Sequence, residues 1–402
     1  MRLPAAPWQK REGMRALLAV LDARKGATRF VGGCVRDTLL GLPVSDVDLA
    51  TKLAPGAVME RLGKAKIKAV PTGLAHGTVT AVIAGQPVEV TTLRRDVSTD
   101  GRRATIAYTD DWREDAARRD FTINALSADP VTGEVHDYFG GEADLAARRV
   151  RFIGDPLTRI AEDHLRILRF FRFHARFGEG EADPEGLEAC AARANDLMAL
   201  SRERIADELL KLLALPGPAP AVRLMIDRAI LAPVLPEIGL DGVERLERLV
   251  VREAEAGIEP HPLRRLAALV PPDSDIAAGV ASRLRLSNKA AKRLVSAASR
   301  SAGDPAAPEV LAYRIGRVEA VDRILLGGGD PTSAGGLLGW KRPRLRLGGR
   351  DVIAMGLEAG PVVARTLQAI EREWTDSGFP DGIEAQRAIA RRYVDQALRE
   401  RQ

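Results

Sequence analysis

The chain has 402 residues, 46% hydrophobic but only 4% aromatic, with 60 Lys and Arg against 55 Asp and Glu. That length implies two or more domains with an aliphatic core, and the net charge of +5 fits a polyanionic partner. Two cysteines exclude a disulfide framework and a four-cysteine zinc site. Residues 1–10 lack the apolar stretch of a secretory signal and no run approaches about eighteen apolar residues, so a soluble cytoplasmic protein with no membrane association is expected.

Met14, Leu17, Leu18 and Leu21 have the spacing of an amphipathic helix within residues 12–23. The next stretch, RFVGGCVRDTLLGLPVSDVDLAT at 29–51, organises the chain. It reads as a strand ending at Val31, the Gly32-Gly33 pair, a helix opening near Val35, a Gly-Leu-Pro turn, and a second strand bearing Asp46 and Asp48. Carboxylates two apart on a strand project from one face. Such a pair suits a hard divalent cation, especially Mg2+, which is commonly held by one or two carboxylates plus substrate phosphates. Backbone N–H groups at a helix start just after a glycine pair can receive a triphosphate.

A short helix is expected at 56–62 and a strand at 67–70. TVTAVI at 78–83 and VEVTTL at 88–93 flank a Gly-Gln-Pro turn and read as an antiparallel hairpin. Glu89 alternates with Val88 and Val90, so its carboxylate faces either solvent or the Asp46 and Asp48 pair on a neighbouring strand. Residues 94–109, RRDVSTDGRRATIAYT, are polar, basic and glycine-containing, and read as a flexible loop. In EDAARRDFTINALSAD at 114–129, helix is favoured at 116–119, with Asp120 and Thr122 as caps of a second short helix running to Ser127. The VHDY segment at 135–138 reads as a strand entering the Gly140-Gly141 turn, because the other histidines form no metal-binding array.

Residues 157–177, LTRIAEDHLRILRFFRFHARF, give the strongest helix: they follow Pro156, contain no Gly or Pro, and stop before Gly178. Its circumference is largely apolar, so it should be buried. Arg159, Arg166, Arg169, Arg172 and Arg176 then require anionic partners. Asp163 and Arg166, at i and i+3, share one side. An acceptor and a donor held together can pair with an exocyclic amine and its adjacent ring nitrogen. Adenine and cytosine present that order; guanine and uracil present the reverse. LSRERIADELLKLL at 200–213 reads as a supporting helix N-capped by Ser201. Beyond Pro216 the pattern is helical throughout, at 219–229, 242–256, 263–269, 276–284, 288–298, 309–326, 351–357, 361–374 and 381–399. KRPRLRLGGR at 341–350 carries five basic residues and no acidic one, a solvated loop or a contact for an RNA backbone.

GGCVRD followed by eight residues and DVD resembles the opening of the polymerase β-like nucleotidyltransferases. With RRDFTINAL, EDHLR and SRERI following in order, residues 28–214 look like the class II tRNA nucleotidyltransferase and bacterial poly(A) polymerase branch. The resemblance implies an α+β protein: a polymerase β-like head with a small mixed or antiparallel sheet at 1–145, an all-α neck at 146–215, and a helical, tRNA-binding body and tail at 216–402. It implies Mg2+-dependent addition of C, C and A to the tRNA 3′ end from CTP and ATP, with release of pyrophosphate. Partners would be the tRNA 3′ end and acceptor stem; the oligomeric state is not legible.

By the same resemblance Asp46 and Asp48 would hold the metal ions, with Glu89 as a third acid. Gly32, Gly33, Arg36 and Arg119 would meet the triphosphate, and Asp120 would orient Arg119 or cap the helix. Asp163 and Arg166 would choose the base, and Arg169 and Arg172 would bind or orient the nucleotide. The loop at 94–109 matches one tied to the change from adding C to adding A. His164 departs from the more usual EDPLR, between the two readers rather than at either. A poly(A) polymerase, disfavoured by the absence of a basic low-complexity tail, a partial CC- or A-adding enzyme, and a non-catalytic tRNA-binding protein are the alternatives.

Overall fold

Strands form where β-branched residues cluster in the first 140 residues: β1 (Thr28–Val31), β2 (Asp48–Thr51), β3 (Lys68–Gly73), β4 (Thr78–Ile83) and β5 (Gln86–Thr92). They continue with β6 (Arg94–Asp100), β7 (Arg103–Tyr108), β8 (Ser127–Ala128) and β9 (Val135–His136). The computed structural model describes residues 1–100 and 103–400, and for residues 96–105 it describes no side chains. Seven strands make one mixed sheet in the order β3-β4-β5-β2-β1-β8-β9. The parallel pair is β2 with β5, which sets Asp48 beside Glu89; β4 and β5 form the expected antiparallel hairpin. Helices α2 (Gly33–Leu39) and α3 (Pro55–Lys64) pack against the sheet and α1 (Met14–Val20) packs on α3, burying Met14, Leu17, Val35, Val58 and Leu62.

Residues 94–109 do not form the expected loop. β6 and β7 pair as a separate antiparallel hairpin, with Arg94 opposite Tyr108, and Thr109 N–H donates to the Leu93 carbonyl at 3.1 Å, closing its base. Thr, Ile and Tyr in the returning strand supply the β preference. Residues 101–102 of this stretch lie outside the described residues. After α4 (Trp112–Ala117), the expected short helix to Ser127 is only a 3-10 turn, Thr122–Asn124. Strand β8 takes over at Ser127, because its backbone pairs with β1.

The predicted long helix at 157–177 is two helices. After α5 (Gly141–Ala146) come α6 (Pro156–Glu162) and α7 (Arg166–Phe177), separated by Asp163, whose backbone is extended at φ −152° and ψ 105°. The Asp163 carboxylate accepts the Leu165 N–H at 3.1 Å, a local bond that competes with the helical ladder. Two further helices, α8 (Pro184–Ala192) and α9 (Arg202–Leu213), pack on this pair, and α10 (Ala219–Asp227) follows. Ser201 occupies the N-cap of α9, but its side chain makes no capping bond. Helix α8 is not among the expected elements, although Asp183-Pro184 is a start signal: Asp183 accepts the Gly186 N–H at 3.0 Å, and Pro opens the helix.

Met1–Pro236 forms one compact unit and Glu237–Gln402 a second. The second is helical among its described residues: α11 (Leu240–Glu255), α12 (Pro262–Leu269), α13 (Ser274–Arg283), α14 (Asn288–Ala298), α15 (Pro308–Ile315) and α16 (Arg317–Gly327). It ends with α17 (Pro331–Gly336), α18 (Gly349–Ala354), α19 (Pro361–Asp376) and α20 (Ile383–Arg399). The single helix expected at 309–326 is divided at Gly316, where φ is +101°. Trp374, Ile370, Val352 and Ala390 anchor the core under the last helices. Among the described residues, no helix is long and apolar enough to cross a membrane.

Candidate active site

β1 ends at Val31, and the chain turns into α2 through Gly32, at φ +68° and ψ −127°. A Cβ there would lie 2.9 Å from Arg119 Nη1, so only glycine lets the Arg119 guanidinium lie against the turn. Asp46 precedes β2 rather than lying within it, and Asp48 is the strand's first residue. Val47 between them is buried, which leaves both carboxylates on the opposite side, in the wall of one cavity.

That cavity, about 610 Å³, is lined from the head by Gly32, Gly33, Arg36, Asp46, Asp48, Arg119, Asp120 and Asn124. Asp163, Arg166, Arg169 and Phe173 line it from α7 and the break before it. A larger cavity of about 690 Å³ between α7, α8 and α10 contains neither Asp46 nor Asp48, so the chemistry selects the smaller one. Of the predicted site residues, Glu89 and Arg172 are not in its wall.

The Asp48 carboxyl is pushed up to about 6, by burial first and then by the negative charges of Glu89 and Asp46, with Arg119 opposing. A divalent cation would relieve that crowding. Among the described residues no three His, Cys, Asp or Glu side chains close around a metal position. The two aspartates suit an ion that completes its shell with phosphate oxygens and water, so the donor set fits a substrate-bridging metal rather than a caged structural one. Glu89 lies beside Asp48 in register but is exposed.

The arginines have distinct environments. Arg119 spans Asp115, at 3.4 Å, and the Asn124 carbonyl, at 3.3 Å. Burial raises the Asp115 carboxyl, but Arg118 and Arg119 outweigh it and hold the group below its usual range. Arg36 is only 6% exposed. Its Nε donates to Asp37 at 2.7 Å, Nη1 donates to Asn124 Oδ1, and the guanidinium lies 4.1 Å from the Phe177 ring centre. It therefore forms the cavity wall with most of its donors engaged.

Asp120 neither orients Arg119 nor caps a second α-helix. Its Oδ2 accepts Arg169 Nε and Nη2 at 2.8 and 2.6 Å, while Oδ1 accepts Phe121 N–H and Asn124 Nδ2, each at 2.9 Å. Arg169 is thereby aimed at the cavity from α7. Arg172 lies behind it, donating to Glu208 of α9 at 2.6 Å.

Asp163 and Arg166 both reach the cavity but are not paired with each other. Arg166 Nη1 donates to the Arg159 carbonyl at 2.8 Å and to Glu162 at 2.6 Å, and Nη2 donates to the Arg118 carbonyl at 3.1 Å. Asp163 is held by Arg204 Nη2, 3.1 and 2.9 Å from its two oxygens. Asn124, Glu162, Arg204 and Glu208 are supporting residues that sequence reasoning does not single out. Three of them lie inside the quoted motifs, Asn124 in RRDFTINAL, Glu162 in EDHLR and Arg204 in SRERI, and Glu208 follows one helical turn after Arg204.

The Poly A polymerase head domain model matches residues 28–151, and the model described as the probable RNA and SrmB-binding site of polymerase A matches 181–240. The mitochondrial CCA tRNA nucleotidyltransferase 1 of Mus musculus is 35% identical over 386 residues, covering 92% of this chain and 87% of that protein. The CCA-adding enzyme of Oceanobacillus iheyensis is 40% identical over 200 residues, 49% of this chain and 48% of its own. Among solved structures, the Bacillus stearothermophilus CCA-adding enzyme in complex with CTP superposes with a TM-score of 0.76 at 28% identity, covering 97% of this chain and 98% of the other. With this coverage, and with the first three of the four motifs brought to one cavity, the chain belongs to the class II CCA-adding tRNA nucleotidyltransferase family.

Proposed function

We propose that this protein adds C, C and A to the 3′ end of tRNA from CTP and ATP, without a nucleic-acid template, releasing pyrophosphate at each step. One observation carries the reading: a carboxylate pair suited to a divalent metal and an Asp-Arg pair suited to amine-bearing bases line the same cavity, although more than a hundred residues separate them in the chain.

Nucleotidyltransferases of this family use a divalent metal, and we assign Mg2+ to Asp46 and Asp48. Asp46 and Asp48 would hold the ion, which would supply Lewis acidity toward the tRNA 3′-hydroxyl and charge neutralisation for the triphosphate and the leaving pyrophosphate. Glu89, beside Asp48, is the third acid of this edge. Arg119, seated against Gly32, and the Gly32-Gly33 turn receive the triphosphate, with the buried Arg36 behind them. The Asp163 carboxylate accepts from the exocyclic amine, and Arg166 donates to the adjacent ring nitrogen. Cytosine and adenine satisfy both; guanine and uracil set a carbonyl against the carboxylate and an N–H against the guanidinium. Arg169 faces the nucleotide, and Arg172 supports it from behind.

The division of labour follows the chain: chemistry at 1–145, base choice at 146–215 and tRNA binding at 216–402. In the last part Arg342, Arg344 and Arg346 are exposed while Leu345 and Leu347 turn inward, giving a basic strip that fits the phosphates of an acceptor stem. The two free, buried cysteines, Cys34 and Cys190, suit a reducing compartment such as the cytoplasm.

The test uses purified protein, Mg2+ and tRNA transcripts lacking CCA, CA or A, with each nucleoside triphosphate supplied singly and together. Two additions from CTP followed by one from ATP are expected. Unlimited A addition would identify a poly(A) polymerase, extension stopping at CC or confined to the final A would identify a partial enzyme, and tRNA binding without extension would leave only a binding protein.

A further inference from the structure

Asp163 occupies a break between two helices, where its backbone is extended and the Leu165 N–H is the only local donor to its carboxylate among the described contacts. One such bond does not fix a carboxylate, because the terminal torsion of an Asp side chain is broad. A carboxylate free to turn would accept an exocyclic amine and would also swing away from a carbonyl, losing the discrimination it is meant to provide. The missing restraint comes from α9. Arg204 Nη2 lies 3.1 Å from Oδ1 and 2.9 Å from Oδ2 of Asp163, gripping both oxygens.

α9 is itself fastened to α7 one turn further on. Glu208, at i+4 from Arg204 and therefore on the same helix face, accepts Arg172 Nε at 2.6 Å and lies 3.8 Å from Arg169 Nη1. It is 4% exposed, so the face carrying Arg204 is held by a buried ionic contact.

An ionised carboxylate has about four acceptor positions. The Leu165 N–H and the two Arg204 contacts occupy three, leaving one for a single N–H of an incoming base. Arg204 and Asp163 keep 25% and 29% of their side-chain surface exposed, so solvent partly screens their ion pair. Its effect is orientation.

We infer that Arg204 is a positioning residue for base choice: it locks the Asp163 carboxylate so that one acceptor faces the exocyclic amine of cytosine or adenine and the carbonyl of guanine or uracil is repelled. This rests on the assignment of Asp163 as a base reader. The experiment measures kcat and KM for CTP, ATP, GTP and UTP with tRNA transcripts ending before CCA and before A. It compares full-length wild type, Arg204→Ala, Arg204→Lys, Asp163→Ala and the double variant Asp163→Ala/Arg204→Ala, each checked by circular dichroism and thermal melting.

Arg204→Ala should lower discrimination against GTP and UTP by roughly tenfold or more, acting through KM for CTP and ATP, with folding unchanged. Arg204→Lys should recover part of the discrimination, and removing Arg204 should add nothing once Asp163 is Ala. Should Arg204→Ala fail to fold, Arg204→Lys carries the same comparison, because a flexible ammonium lacks the fixed planar geometry that the guanidinium imposes on the carboxylate. An unaltered nucleotide ratio in the folded Arg204 variants, while Asp163→Ala loses discrimination, overturns the inference. An equal fall in kcat for all four nucleotides overturns it as well. If Asp163→Ala itself keeps the wild-type ratio, the base-reader assignment falls, independently of anything Arg204 does.

Discussion

At the scale of single residues, the cavity places groups under electrostatic tension beside groups that are fully satisfied. Asp48 is the tense one: its carboxyl sits at about 6 instead of its ordinary 3.8 because it is buried beside Glu89 and Asp46. An acid whose pKa is raised by folding binds its proton more tightly in the folded state. The favourable contribution is full below about 3.8 and is lost as pH rises through about 6. Asp48→Asn removes that penalty. In the absence of divalent metal its melting temperature should exceed that of wild type by about 2 °C or more at pH 7.5, and the gap should close by pH 4. The same variant should lose nearly all nucleotide addition. A variant no more stable than wild type at pH 7.5 would show that Asp48 carries no such strain.

Among elements, α7 and α9 matter most, because α9 supplies the charges that hold cavity residues and their neighbours from behind. Asp120 holds Arg169, Glu208 holds Arg172, and Arg204 holds Asp163, so the second and later motifs form one ionic lattice. Glu208 is its most buried acid, and removing it leaves Arg172 without its carboxylate partner. Glu208→Ala should therefore destabilise the protein by about 3 kcal/mol in urea unfolding, and nucleotide binding should weaken with it. A loss below about 1 kcal/mol would mean that solvent replaces the carboxylate readily. Most of the helices are legible in the sequence, since apolar spacing is a local signal, although the Asp-Pro starts of α8 and α17 are passed over. The break at Asp163 is not: nothing in LTRIAEDHLR departs from helical composition, and the extended backbone there is accompanied by Asp163's contacts with Leu165 and Arg204. The hairpin at β6 and β7 escapes for a related reason, because polar, glycine-containing strands outside the main sheet look like loop.

For the whole molecule, the basic strip at 341–350 is the feature that an RNA partner tests most directly. Replacing Arg342, Arg344 and Arg346 together by Ala should weaken tRNA binding and reduce the salt dependence of the association by about two phosphate contacts. Addition measured at saturating tRNA should be preserved. An unchanged salt slope would remove the strip from the tRNA path.

By itself the sequence set out the candidate chemistry: an aspartate pair next to a glycine turn, an arginine motif, an Asp-Arg pair proposed to read the base, and a helical remainder. Each of these depends on residues within a few positions of one another, where spacing and capping act. The tertiary structure decided the partners. Asp120 takes Arg169 across 49 residues, Asp163 takes Arg204 across 41, and Glu208 takes Arg172 across 36. Arg166 turns to Glu162 rather than to the neighbouring Asp163. A sequence shows which residues carry charge. Which opposite charge each one meets is settled only when packing brings helices and strands together, because a buried ion requires a partner within a few ångströms, wherever in the chain that partner lies.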